Sequence, residues 1–150
     1  MPVIVVGADT PIGAEIVGRL AGAGGEVRAF ITDPQAGEEL RRRGCKVAIG
    51  DVSDGSHVEM AALECFTAVL VAESAGDDRE RAFAGTPGDV AVAWMEAVQA
   101  ARIHRLIWVG SPAMPEPPVE ATISEVAVVS AEDKETAAEV VRLNELETLP

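Results

Sequence analysis

The stretch VIVVGADTPIGAEIVGRL, from Val3 to Leu20, constrains this chain most. A continuous apolar run, Val3–Val6, stops at Gly7, as a strand buried on both faces does. Thr10 suits a helix cap and Pro11 the first helical position. Ile12, Ile16 and Leu20 then recur every four residues and draw one apolar stripe along a helix. The glycines at 22, 24 and 25 end that helix. A buried strand that enters a helix through a glycine turn must find parallel partners later in the chain.

The later chain supplies them. Val27–Ile31 reads as a second strand, followed by a helix over residues 35–43 that Gly44 stops. Lys46–Ile49 reads as a third strand. Ser56 and Glu59 have capping-box spacing and open a helix through about Leu63. Residues 68–72 form a fourth strand, and the polar residues 73–88 read as a long loop or an irregular helix start. Residues 89–101 predict a helix with Val90, Trp94, Val98 and Ala101 on one face. Residues 106–109 form a fifth strand. The prolines of SPAMPEPPVE exclude regular structure. Residues 122–129 fit either a short strand or an apolar helix turn, and 130–147 read as a very acidic final helix. Strands alternating with helices predict an α/β doubly wound, Rossmann-like parallel sheet in the order 3-2-1-4-5, covered on both faces. With 150 residues, 48% of them hydrophobic, residues 1–150 are expected to form a single domain.

Charge narrows the function. The net charge of −13 disfavours binding of nucleic acid through a broad basic surface. The one basic run, Arg41 to Arg43, follows Glu38-Glu39 and suits a helix dipole. No apolar run approaches the ~20 residues that span a bilayer, so no membrane segment is expected. The start of the chain has no basic stretch or cleavage pattern, which predicts no signal peptide. Cys45 and Cys65 read as buried thiols rather than a disulfide framework. Together these features predict a cytoplasmic protein. His57 reads as solvent-exposed near a helix start, His104 lies in the turn before strand five, and no His/Cys cluster predicts a metal site.

In a sheet of this kind ligands sit beyond the carboxyl ends of the strands. The loop Gly7, Ala8, Asp9, Thr10, Pro11, Ile12, Gly13 lies there, and its backbone N–H groups suit a pyrophosphate. Gly7 permits the turn and Gly13 close helix packing. In G-x-x-G-x-x-G spacing the middle glycine is Thr10, whose hydroxyl can cap the helix or bond a phosphate. Asp33, twenty residues past Gly13, can accept from a ribose hydroxyl. Asp51 and Val52 end strand three near the expected adenine. Ala72 and Glu73 end strand four, and Ser111 ends strand five.

These residues together resemble the atypical short-chain dehydrogenase/reductase family, in particular its NmrA-like and biliverdin/flavin-reductase-like NAD(P)-binding members. "GADTPIG" matches an opening like "GATGxxG", "GDVSD" matches a "GD" with an acid or polar pair, and "LIWVGSPAM" matches in part an apolar fifth strand ending in serines. The order and spacing agree from Val3 to Ala113. "KETAAEVVRLNELETLP" resembles the helix that precedes the family's sixth strand, so the substrate region is expected to be short or absent. The resemblance implies NAD or NADP as cofactor. Thr32 stands where NADP-binding relatives often carry arginine, which favours NAD, or a smaller adenine nucleotide, over NADP. The chain has no tyrosine, so the family's usual general acid is missing. Ser111 is the weak catalytic candidate, with a turn role as its alternative, and Lys134 reads as half of a helical ion pair.

Three functions follow: a non-catalytic dinucleotide sensor or regulatory module; a small NAD(P)-dependent reductase that binds a small-molecule substrate beside Ser111; or a degenerate scaffold without cofactor. Val140, Val141, Leu143 and Leu146 on the final helix, or an uncovered sheet edge, predict a homodimer.

Overall fold

The computed structural model describes residues 1–76, 82–120 and 122–150. In chain order the elements are β1 (Val3–Val6), α1 (Pro11–Gly22), β2 (Val27–Ile31), α2 (Pro34–Arg42), β3 (Lys46–Ile49), α3 (Gly55–Ala62), β4 (Thr67–Val71), α4 (Ala72–Ala75), α5 (Pro87–Ala100), β5 (Arg105–Gly110), β6 (Glu125–Ser130) and α6 (Thr136–Glu145). The strands form a six-stranded sheet in the order β3-β2-β1-β4-β5-β6, and every pairing is parallel. The doubly wound sheet read from the sequence is therefore present, with one strand more.

β1 lies at the centre because all four of its side chains can be buried, Val3 and Val5 on one face and Ile4 and Val6 on the other. Two apolar layers result. One packs α3 and α5 around Phe30, Trp94 and Trp108; the other packs α1, α2 and α6 around Ile16, Leu40 and Val140. Cys45 and Cys65 are free and buried, and burial pushes both thiols up. The Arg42 and Arg43 guanidiniums pair with Glu38 and Glu39 of α2, so two of the three charges of the basic run are met locally.

One open reading is settled and three local expectations change. Of the two readings open for residues 122–129 the strand is the one found, as β6 over Glu125–Ser130, and it precedes the last helix. That helix begins at Thr136, because Thr136 Oγ1 donates to the Ser130 and Asp133 carbonyls and closes a turn first. Its residues Val140 and Leu143 are buried, and Val141 and Leu146 pack on the same core, so this face is not free for a second copy. Finally, α3 is capped by Asp54, whose carboxylate accepts from His57 N–H, while Ser56 Oγ donates to Asp54. The capping box at Ser56 and Glu59 does not form. Within residues 73–88, α4 occupies 72–75 and α5 starts at Pro87; the part of that expectation on residues 77–81 lies outside the described residues.

The amino ends of the strands are tied by a buried cation. Arg105 is 0% exposed. Its guanidinium lies 2.8 Å from Glu125 Oε2 and donates to the Leu143, Asn144 and Glu147 carbonyls. It therefore binds β6 and the carbonyl end of α6 to β5, and it covers the Phe66 ring. Glu125 Oε2 also accepts from Leu149 N–H, and Oε1 meets His104 Nε2 at 2.9 Å. Burial alone would raise the Glu125 pKa, but the Leu149 N–H, His104 and Arg105 hold it below the ordinary carboxylate value.

Two outcomes follow from this clamp. Arg105→Met leaves Glu125 without its cation and is expected to lower the thermal midpoint by roughly 10 °C in calorimetry. A depressed Glu125 pKa contributes stability that is present above the unfolded carboxylate value and is lost as pH falls through the folded one. Hydrogen exchange at Leu149 N–H is thus expected to accelerate ahead of the sheet amides below about pH 4. Uniform acceleration would refute the clamp.

Candidate functional site

The junction of β1 and α1 is built on one close approach. Gly7 has φ of +90°, a conformation that side chains resist, and a Cβ there would lie 2.7 Å from Ser74 Cβ. A Cβ on Gly13 would lie 2.0 Å from the Gly7 carbonyl oxygen, so α1 starts this close to β1 only because residue 13 lacks one. Thr10 spans the same gap. Its hydroxyl donates to Gly7 O at 2.7 Å and accepts from Gly13 N–H at 3.1 Å. Of the two roles open to Thr10, the structure thus displays the helix cap, and its hydroxyl proton is already engaged.

The loop's donors can be followed one by one. Gly7 and Ala8 N–H donate to Phe30 O, Thr10 N–H to Gly7 O, and Ala14 N–H to Thr10 O. Pro11 is exposed and has no N–H. The Ile12 N–H, in the first turn of α1, has no acceptor within the chain among the described residues. It is the donor that an anion would meet, with the helix dipole behind it.

Asp9 fastens this loop to the end of β2. Its Oδ2 accepts from Thr32 N–H and Asp33 N–H, both at 3.0 Å. Asp33 Oδ1 in turn caps α2 by accepting from Gln35 N–H at 3.0 Å. So Asp9 and one oxygen of Asp33 hold the framework, and Asp33 Oδ2 has no partner among the described residues. Thr32 is buried, and its hydroxyl has no partner among the described residues. Ser74, one residue past Glu73, repeats that pattern on the other side of Gly7: fully buried, with an unpartnered hydroxyl. Each such group costs about 1–3 kcal/mol unless a ligand or water satisfies it. Sequence reasoning picked the buried Ala72 and the exposed Glu73 at this strand end and missed Ser74. The available signal was a hydroxyl following a small-residue strand end.

At the end of β3, Asp51 is a loop organiser. Oδ1 accepts from Ser53 N–H and Oγ–H at 2.8 and 2.6 Å, and Oδ2 accepts from Ala82 N–H at 2.6 Å. Burial alone would raise its pKa, but these three donors hold it below the usual value. Ser53 Oγ then accepts from Phe83 N–H. Val52 buries its side chain, and its carbonyl accepts from Trp94 Nε1 at 2.7 Å, so it offers the crevice no side chain. His57 is half-buried rather than exposed: its ring lies edge-on to Phe30 and against Gly50.

Ser111, at the end of β5, is half-buried. Its Oγ accepts from Met114 N–H at 3.2 Å, while Trp108 Nε1 holds the Met114 carbonyl. It is a turn residue, and its hydroxyl proton remains available. Beside it a cavity of about 290 Å³ is lined by Gly110, Ser111, Pro112, Pro115, Val128, Val129, Ser130 and Glu132. A second cavity, about 460 Å³, lies among Met1, Val3, Val27, Phe66 and residues 144–147. It sits at the amino ends of the strands, opposite the glycine loop, where sheets of this kind do not bind their ligands. Lys134 lies in the turn before α6 without an ion-pair partner among the described residues, so the helical pair does not form. Among the described residues no group of three or more His, Cys, Asp or Glu is placed to hold a metal ion.

Gly13→Ala tests the junction. The added methyl must displace backbone, not a flexible side chain, and is expected to cost roughly 1–3 kcal/mol in denaturant unfolding. An unchanged midpoint would show that the close approach is not tight.

Comparison with known proteins agrees with this geometry. The chain is similar over 99% of its length, and 92% of the other chain, to the anaerobillin reductase ChuY of Escherichia coli O157:H7, with a TM-score of 0.70 at 16% identity. The Citrobacter sp. triphenylmethane reductase complexed with NADP(H) matches 74% of this chain at 14% identity and a TM-score of 0.60. An NADPH-dependent quinone oxidoreductase of Escherichia coli, in complex with NADPH, matches 72% at 14% identity and a TM-score of 0.58. The chain spans 38% and 36% of the latter two. These likenesses share the fold. No curated protein matches. The NAD(P)H-binding family matches residues 7–148, from the glycine turn through the last helix, and the chain belongs to that family.

Proposed function

We propose that the protein is a small NAD(P)H-dependent reductase. The observation that carries this is the glycine junction, with its free Ile12 N–H and the two unpartnered hydroxyls, Thr32 and Ser74, on either side. A pyrophosphate fits there as an acceptor for Ile12 N–H at the positive end of α1. The adenosine ribose fits beside Asp33 and Thr32. The bound nicotinamide supplies the hydride. Structural neighbours that are reductases favour this reading over a non-catalytic sensor.

The chain's own contribution is position. The missing side chain at Gly7 lets Ser74 and Val71 pack against the loop at the end of β4, and Ser111 stands one strand further, beside the 290 Å³ cavity. Without a tyrosine, Ser111 orients the acceptor by donating its free proton as a hydrogen bond. Water then supplies the proton that balances the reduction. The cavity's proline and valine walls suit a flat conjugated acceptor, in the class of the quinones and dyes reduced by the neighbours. NAD is favoured over NADP, because Thr32 lies between Asp9 and Asp33 and no arginine adjoins it in sequence. The site residues and this preference are proposals.

Titration calorimetry with NADH and NADPH is the test. NADH is expected to bind at least tenfold more tightly, a difference of about 1.4 kcal/mol, and Thr32→Arg to narrow or invert that ratio. Ser111→Ala is expected to leave NADH affinity unchanged and to lower kcat with a quinone or triphenylmethane dye roughly five- to tenfold, as for one lost hydrogen bond. Binding of both cofactors without turnover of any conjugated acceptor would restore the sensor reading. Binding of neither at millimolar concentration would favour the scaffold.

A further inference from the structure

The two edges of the sheet are built differently. The β3 edge is four residues long and begins at the exposed Lys46, whose ammonium meets Glu26 at 3.0 Å. A short strand with a lysine discourages further pairing. The β6 edge is six residues, EVAVVS, with no proline, no lysine and an unbroken register against β5. Glu125 N–H donates to His104 O, and Ala131 N–H to Gly110 O, so the odd-numbered residues bond inward. The backbone N–H and C=O groups of Val126 and Val128 therefore point outward, away from the sheet, as does Ser130 N–H, while the Ser130 carbonyl turns into the Asp133 and Thr136 turn.

The side chains add to this. Val126 and Val128 are 43% and 48% exposed, whereas Ala127 and Val129 pack on the core from the other face. The cause is the connection before β6. Each of the other four crossovers carries a helix, but residues 111–124 contain four prolines and no helix among the described residues, so one face of β6 stays bare. In a chain with a net charge of −13, the run from Val126 to Ser130 is an uncharged strip, and Glu125 beside it is held by Arg105.

We propose that β6 pairs antiparallel with β6 of a second copy, about a two-fold axis through Ala127, to form one continuous sheet. Outward-facing residues must meet outward-facing residues, and this register satisfies that rule. It sets Val126 opposite the partner's Val128 and Ser124 opposite the partner's Ser130. The four valines then form a single apolar stripe, and cross-strand pairs of this kind stabilise a sheet. Glu125 falls opposite the partner's Val129, so no carboxylate faces a carboxylate. The uncharged strip, with Glu125 already held by Arg105, is where two copies of so acidic a chain can meet with least repulsion, and the interface is isologous.

Sedimentation equilibrium over a micromolar to millimolar dilution series reads the mass. The chain is expected to approach twice 15.6 kDa. Val126→Lys, on an exposed side chain, is expected to return it to the monomer mass with an unchanged circular dichroism spectrum. Backbone exchange gives a reading independent of any variant: the Val126, Val128 and Ser130 amides should slow as the dimer fills. A mass of 15.6 kDa throughout, a dimer that leaves those amides fast, or species larger than a dimer would each overturn the pairing. If Val126→Lys does not fold, the amide exchange of the unmodified chain decides.

Discussion

The approach of residue 13 to the Gly7 carbonyl governs the rest of the molecule. At 2.0 Å from the position a side chain would take, that oxygen allows only glycine, and Thr10 locks the gap from both sides with one hydroxyl. The first turn of α1 is thereby held against the end of the central strand. Its orphan donor and dipole gather at the carboxyl end of the sheet. Asp9 carries the constraint across to the end of β2, and Ser74 meets it from α4, just past β4. An anion site made in this way needs no lysine or arginine, which fits a chain so strongly acidic.

Polar groups at the two ends of the sheet do different work. At the amino ends a charged network ties the strands: Arg105 meets a carboxylate and three carbonyls, and Glu125 meets Arg105, His104 and Leu149, while the buried Thr67 hydroxyl has no partner among the described residues. That network closes the fold around α6. At the carboxyl ends, Asp9, Asp51 and Asp33 shape loops, yet Thr32 and Ser74 keep buried hydroxyls without partners among the described residues.

Much of this was legible in the residues. Val3–Val6 could only be a central strand, and the glycine and proline punctuation placed the elements up to β5. The capping role of Thr10 was one of two open readings, because sequence shows a hydroxyl but not its partner. β6 was ambiguous because EVAVVS has one half-buried face and one bare face, and a short apolar run of that length suits a strand or a helix turn. The apolar side of α6 suggested a free surface, but α1 and the edge of the sheet cover it, which only the tertiary arrangement reveals. The roles of Asp9 and Asp51 were hidden for the same reason: their acceptor oxygens meet backbone donors 23 to 31 positions away.

The central claim is that the glycine junction, and not the larger cavity at the other end of the sheet, receives the dinucleotide. Backbone amide chemical shifts of the labelled protein during addition of NADH test it most directly. The account predicts that Gly7 to Gly13, Thr32, Asp33 and Ser74 shift together, Ile12 most of all, while Met1, Val27 and residues 144–147 stay still. Shifts confined to the amino ends of the strands, or none at millimolar NADH, would contradict it.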